Sequence, residues 1–247
     1  MNQMKLFGMA QAIENLQSKG DCQDMGFTEL FGLIVDHEWT YRENRKMERL
    51  IKGADFKEKT ACIEALDYRG GRGLKKSAIQ ELTQNLWIQN HQNVLITGPS
   101  GSGKSFVAQA LGHHATRFGF SVNYLRMPKL LFALIQARAD GSYLKFLKKL
   151  QRVNVLILDD LGLAPLSDPE KQDLMEIIED RHGSGSTIVT SQLPISGWHA
   201  YLGGSLLAEG ILDRLMSSVH RFELKTTESL RRDKSLSGLT DAGQSVN

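Results

Sequence analysis

Gly98-Pro99-Ser100-Gly101-Ser102-Gly103-Lys104-Ser105 meets every specified position of the pattern G-x-x-x-x-G-K-[ST], and its chemistry is the holding of phosphate. Phosphate oxygens need several donors at close range, which backbone N–H groups supply only where side chains stand clear. Gly98, Gly101 and Gly103 permit that approach. A helix starting near Lys104 adds its own N–H groups and the positive end of its dipole. Lys104 is then placed for the β- and γ-phosphates of ATP, and the Ser105 hydroxyl for Mg2+.

About fifty residues later, the apolar run Val155-Leu156-Ile157-Leu158 ends in Asp159-Asp160. A carboxylate at the end of a buried strand beside a phosphate cradle orients magnesium, the role expected of Asp159. Asp160 is the candidate for polarising the attacking water. It is one methylene shorter than glutamate, so a base reach of about 2.6–3.2 Å requires a closer backbone or a bridging water. Slow or conditional hydrolysis is expected.

A third strand end, Thr187-Ile188-Val189-Thr190-Ser191-Gln192, finishes in three side chains able to hold a water or sense the γ-phosphate. Ser191 and Gln192 are the candidates carried forward with Thr190 beside them, although any of the three equally suits a turn before Pro194. Arg214, in Ile211-Leu212-Asp213-Arg214-Leu215, lies on a helix beyond that strand and could reach the nucleotide of a neighbouring subunit; the plainer reading is an ion pair within its own helix.

These groups require a particular scaffold. Short apolar strands are expected at 94–97, 120–126, 155–158, 186–190 and 219–224, with helices near 104–118, 169–182 and 205–217 and a helical region across 129–150. Alternating strands and helices imply a parallel, helix-covered sheet in an α/β domain. Ser167-Asp168-Pro169-Glu170 marks one helix start by its cap, its proline and its reciprocal glutamate. Residues 1–68 contain no convincing strand and read as a small helical domain. The glycines around Arg69-Gly70-Gly71-Arg72-Gly73 mark its end, 69–230 are expected to form the ATPase domain, and 231–247 a small, polar, flexible tail.

Net charge is only +2, but it is distributed unevenly, because residues 69–152 hold 13 basic against 2 acidic side chains. Bound phosphate and acidic neighbours would neutralise part of this excess; a polyanion-binding face would use it. In the helical region Arg42, Arg45, Lys46, Arg49 and Lys52 share much of one helix face, which suits either a solvated surface or a DNA or partner contact. Cys22 and Cys62 lie far apart with no second pair, so neither a disulfide framework nor a zinc site is expected. Without a secretion signal or a long apolar run, a soluble cytoplasmic protein is expected.

In combination, "NVLITGPSGSGKS" at 93–105, "VLILDDLGLAPL" at 155–166, "TIVTSQLP" at 187–194 and "EGILDRL" at 209–215 resemble the AAA+ ATPases of the IstB type, helpers of transposition, and more distantly the DnaC helicase loaders. The amino-terminal "FGLIVDHEWTYRENRKMERLIKGA" carries the likeness across nearly the whole chain. The resemblance implies five parallel strands, an added helix in the 128–152 region, ATP-dependent self-assembly on duplex DNA, and delivery of that DNA to the transposase of the same element. Asp-Asp at the strand end is common in this family. Arg214 looks like the arginine finger and Arg231, in "TESLRRDK", like the sensor-II arginine. Gln192 stands where relatives often carry asparagine. Lys129, Arg138, Lys145, Lys148, Lys149 and Arg152 fall in the added-helix region, and the charge distribution, not the resemblance, makes them the expected DNA contacts, with little sequence preference because they would meet phosphates. A DnaC-like loader that uses ATP as a switch is the alternative; a small-molecule kinase would explain the cradle but neither Asp-Asp nor Arg214.

Overall fold

A computed structural model describes residues 3–19, 25–68 and 71–225. Two compact units divide between Lys52 and Gly53. In the first, α1 (Phe7–Lys19) packs on α2 (Phe27–Ala54). The approach is close at Gly8, where a Cβ would stand 2.7 Å from both Glu38 Cα and Tyr41 Cβ. Glu38 is buried there and accepts the Met9 N–H at 2.9 Å, meeting one of the unpaired donors of the first helical turn. Phe27, Phe31, Val35 and Trp39 remain exposed on α2. At 100° per residue they share a face with Arg42, Arg45, Lys46, Arg49 and Lys52, all exposed as well.

The second unit is a five-stranded parallel sheet covered by helices on both faces. In chain order, α3 (Lys76–Leu82) and α4 (Leu86–Gln89) lead into β1 (Asn93–Thr97), followed by α5 (Lys104–Arg117) and β2 (Val122–Arg126). Two helices, α6 (Met127–Ala139) and α7 (Tyr143–Arg152), precede β3 (Val155–Leu161), and α8 (Asp168–Arg181) leads to β4 (Ser186–Ser191). The short α9 (Trp198–Tyr201), then α10 (Leu206–Met216) and β5 (Val219–Glu223), complete the unit. The strand order is β2-β3-β4-β1-β5. Successive side chains of a strand serve opposite faces: Val155 and Ile157 join one core with α5, and Leu156 and Leu158 join the other with α6, α7, α8 and α10. Burial on both faces explains the unbroken apolar runs in the sequence.

Three features differ from expectation. The helical region 129–150 is two helices, because Gly141 turns at φ 75° while the Asp140 carboxylate accepts the Ser142 N–H at 2.9 Å. The second compact unit begins at Gly53, well before residue 69, since Phe56, Ala61 and Leu66 pack into the same core as Val94 and Leu111. Glu58 is also bound to α5: its N–H donates to Gln109 at 2.8 Å and its carbonyl lies 3.0 Å from His113 Nε2. β3 continues through both aspartates to Leu161. Arg181 is 1% exposed and donates to the carbonyls of Leu150, Val153 and Ser186 at 2.6, 2.9 and 2.5 Å. Burial pushes its pKa down to about 10, and the cation ties the entries of β3 and β4 to α7.

Candidate nucleotide site

The cradle lies where the sequence places it, between β1 and α5, with φ of 147°, 79° and 92° at Gly98, Gly101 and Gly103. Gly98 has a further reason to be glycine. A Cβ there would stand 2.2 Å from Leu224 O, so the chain leaving β5 needs the space as well. Lys104 is buried, and its Nζ donates to Pro99 O at 2.9 Å across the loop. Arg72 donates to Ser102 O at 3.0 Å while paired with Asp67, which ties the pre-strand segment to the cradle.

Asp159 collects three hydroxyls. Oδ1 accepts from Ser105 at 2.7 Å and from Thr190 at 2.5 Å, and Oδ2 accepts from Tyr124 at 2.7 Å. Burial, reinforced by the Asp159 carboxylate, drives the Tyr124 hydroxyl well above the usual phenol range, so it stays a donor. A hydroxyl and a carboxylate oxygen in contact beside a phosphate loop are hard oxygen ligands of the kind Mg2+ takes, so Ser105 and Asp159 fit that ion.

Asp160 stands on a bulge. Leu158 pairs with Val189 but Leu161 pairs with Ser191, which leaves one extra residue in β3, and Asp160 takes a left-handed φ of 67°. Its N–H donates to Thr190 Oγ1 at 3.0 Å. The bulge turns the Asp160 carboxylate toward the cavity, which it lines. There it meets Arg126, whose Nε and Nη2 donate to Oδ2 at 3.0 and 2.9 Å.

The three candidates ending β4 separate. Thr190 bridges Asp159 and the Asp160 backbone. Ser191 is fully buried, donating to Leu161 O at 2.6 Å and accepting the Leu193 N–H at 3.1 Å, so its hydroxyl secures the turn. Gln192 is exposed and lines the cavity with Lys104, Asp159 and Asp160. That cavity, of about 520 Å3, is also lined by Ala65, Leu66, Leu74, Val107 and Leu224, an apolar set that suits the face of a base.

Arg214 does not line this cavity. It borders a small crevice with His91, Asn93 and His182 and pairs with Glu179 on α8. Asn93, which opens β1, donates to the carbonyls of Arg214 and Leu215, whereas the cradle follows the other end of that strand. Five residues at about 3.3 Å each put Arg214 out of reach of its own chain's cradle. Arg231 lies outside the described residues.

Of the expected DNA contacts, Lys129, Lys145, Lys148, Lys149 and Arg152 are exposed, with no ion pair among the described residues. On α7 these cations lie opposite buried Leu147 and Leu150. Arg138 departs from the expectation: it pairs with Asp173 and lies 3.9 Å over the Tyr143 ring, whose hydroxyl lies 2.7 and 2.6 Å from the Asp173 and Glu176 carboxylates and can donate to either. That network joins the α6–α7 pair to α8.

Sequence reasoning missed Tyr124 and Arg126. The available signal was register: β2 ends with Arg126 beside Asp159, so polar residues there face the site. Among the described residues no helix is long and apolar enough to cross a membrane.

The family described as IstB-like ATP binding protein matches residues 1–237. The chain is 44% identical over 234 residues to the insertion sequence ATP-binding protein y4pL of Sinorhizobium fredii, covering 95% of each. It is 46% identical over 196 residues to the IS1162 ATP-binding protein of Pseudomonas fluorescens, covering 79% of this chain and 85% of that one. Among solved structures, the DnaC helicase loader aligns with a TM-score of 0.54 at 26% identity over 61% of this chain and 88% of its own. AMPPCP-bound DnaA from Aquifex aeolicus shares the fold, with a TM-score of 0.60 at 19% identity over 78% of this chain and 59% of that one.

Proposed function

Since the chain belongs to the IstB-like ATP-binding proteins, we propose that it is an ATP-hydrolysing transposition helper that assembles with copies of itself on duplex DNA and delivers that DNA to the transposase of the same element. The observation that carries this reading is a separation. The cradle, Asp159 and Asp160 stand at one end of the sheet, and Arg214 stands at the other. One chain cannot use both on a single nucleotide. A nucleotide held between two copies uses both, which makes hydrolysis depend on assembly.

In this reading the cradle N–H groups and Lys104 hold the triphosphate, with Ser105 and Asp159 placed for magnesium. When bound, that ion offsets charge on the phosphates. Asp160 accepts the proton of the attacking water, Gln192 holds that water or senses the γ-phosphate, and Thr190 keeps both aspartates in place. Arg214 of the neighbouring copy supplies positive charge to the transferring group. Lys129, Lys145, Lys148, Lys149 and Arg152 follow the DNA backbone, a contact blind to sequence. The α2 face of the amino-terminal unit serves assembly, a partner or DNA.

The test is sedimentation and ATPase turnover on duplexes of increasing length. Assembly and turnover should rise together once a duplex accommodates several copies, and Lys104→Ala should lose nucleotide binding and both effects. Full turnover by a monomer without DNA would overturn the reading. The likeness to the DnaC helicase loader supports a second reading, an ATP-gated loader. Preference for single strands and retention of a replicative helicase would favour it over the first.

A further inference from the structure

Arg214 is held in a specific way. Its Nε is ion-paired with the Glu179 carboxylate on α8 and its Nη1 donates to Gly210 O at 3.0 Å, while Nη2 makes no hydrogen bond among the described residues. A guanidinium is planar, so anchoring two of its nitrogens sets the direction of the third. The Arg214 side chain is 27% exposed and that of Glu179 51%, so the pair lies at the surface where a second copy can approach. Beneath the pair, Ile178 of α8 packs in the same buried cluster as Ile211 and Leu215 of α10, which fixes the two helices that carry the partners.

We propose that Glu179 is the positioning residue for Arg214 in the site shared between copies, presenting Nη2 to the γ-phosphate of the neighbour's nucleotide. The inference rests on Arg214 acting in trans, as set out above. A long arginine side chain free at the surface would sample many rotamers and lose that freedom on docking; Glu179 removes much of it beforehand. The carboxylate also partly offsets the arginine's charge. Because it is half exposed, water and salt screen that opposing effect, whereas the orientation it imposes persists.

The experiment measures DNA-stimulated ATP turnover of the full chain as Glu179→Ala, Glu179→Gln and Arg214→Ala. Glu179→Ala should lower kcat roughly tenfold, the scale of a misplaced reacting group, and leave KM for ATP unchanged, because its own cradle is untouched. Glu179→Gln should remain near the parent, since an amide oxygen in the same place can hold Nε by accepting its hydrogen. Arg214→Ala should lose most of the stimulation. A parental kcat in Glu179→Ala beside an impaired Arg214→Ala overturns this inference and leaves the trans reading standing. Equal impairment of Glu179→Ala and Glu179→Gln also overturns it, because charge rather than orientation would then matter. A parental kcat in Arg214→Ala removes the premise itself.

Discussion

Arg126 directs two nitrogens, Nε and Nη2, at a single oxygen of Asp160, at 3.0 and 2.9 Å. The hydrogen bond to Asp160 is also the main reason the Arg126 guanidinium holds its proton more firmly than usual. A carboxylate oxygen that already accepts two hydrogen bonds has to release one before a water can take that place. The candidate base is thus restrained by the last residue of β2, directly before α6, which carries exposed Lys129.

Arg126→Ala should therefore raise turnover in the absence of DNA, by roughly tenfold if one charge-assisted contact of ~1.4 kcal/mol is what restrains Asp160. The pair is partly exposed, so solvent screening makes that figure an upper bound. Steady-state hydrolysis with and without duplex DNA measures it. Lower DNA-free turnover in the variant would show that Arg126 supports hydrolysis instead of restraining it.

Asp160→Asn keeps an oxygen for Arg126 and removes the base. Hydrolysis should fall by about a hundredfold or more, while ATP binding and DNA assembly persist, because Ser105, Asp159 and Lys104 are unchanged. Nucleotide content of assemblies after gel filtration reads this out. Normal turnover would place water activation elsewhere.

Reversing the charge of Lys145, Lys148 and Lys149 should weaken duplex binding without altering sequence preference. It should also flatten the dependence of log affinity on log salt by roughly three. Arg138→Ala should leave that slope unchanged, because Asp173 and Tyr143 already hold Arg138. It should instead lower Tm modestly, because the α6–α7 pair loses that tie to α8 while solvent screens the lost contact. An unchanged slope in the triple variant would remove α7 from the DNA path.

His113 is neutral in the fold, since burial pushes its pKa below the ordinary 6.5. As pH falls through the unfolded value, the unfolded chain gains a proton that the folded chain resists, so stability falls toward acid and is regained above that range. His113→Gln retains a donor for Glu58 O and should lose less Tm than the parent between about pH 7.5 and about pH 5.5. Equal losses would assign the acid sensitivity to other groups.

The parts legible in the sequence are those whose physics is local. A glycine-rich loop between an apolar strand and a helix can be read from eight consecutive residues, because backbone donors and helix dipole act within that span. Asp159 follows from its place at the end of a buried strand. Ser167 and Glu170 form the capping box that their spacing announces. The sheet's alternation with helices is legible as well, because two-sided burial leaves continuous apolar runs.

Tertiary structure decided everything that depends on neighbours brought together from distant positions. The bulge that turns Asp160 inward arises from pairing between β3 and β4, and no spacing in β3 alone announces it. Arg126 reaches Asp160 only because β2 lies beside β3 in register. Ser191 and Gln192 are adjacent in sequence, yet one secures a buried turn while the other faces the cavity, since the chain leaves the sheet between them. Arg138 reads as one more cation of a basic run until the fold sets Asp173 beside it. The sequence by itself determined which chemistry the chain carries, because donors, glycines and carboxylates are specified by residue type at short range. Which groups are engaged, and which remain for a second copy or DNA, was decided by the fold, because hydrogen bonds and burial depend on contacts made across the sheet.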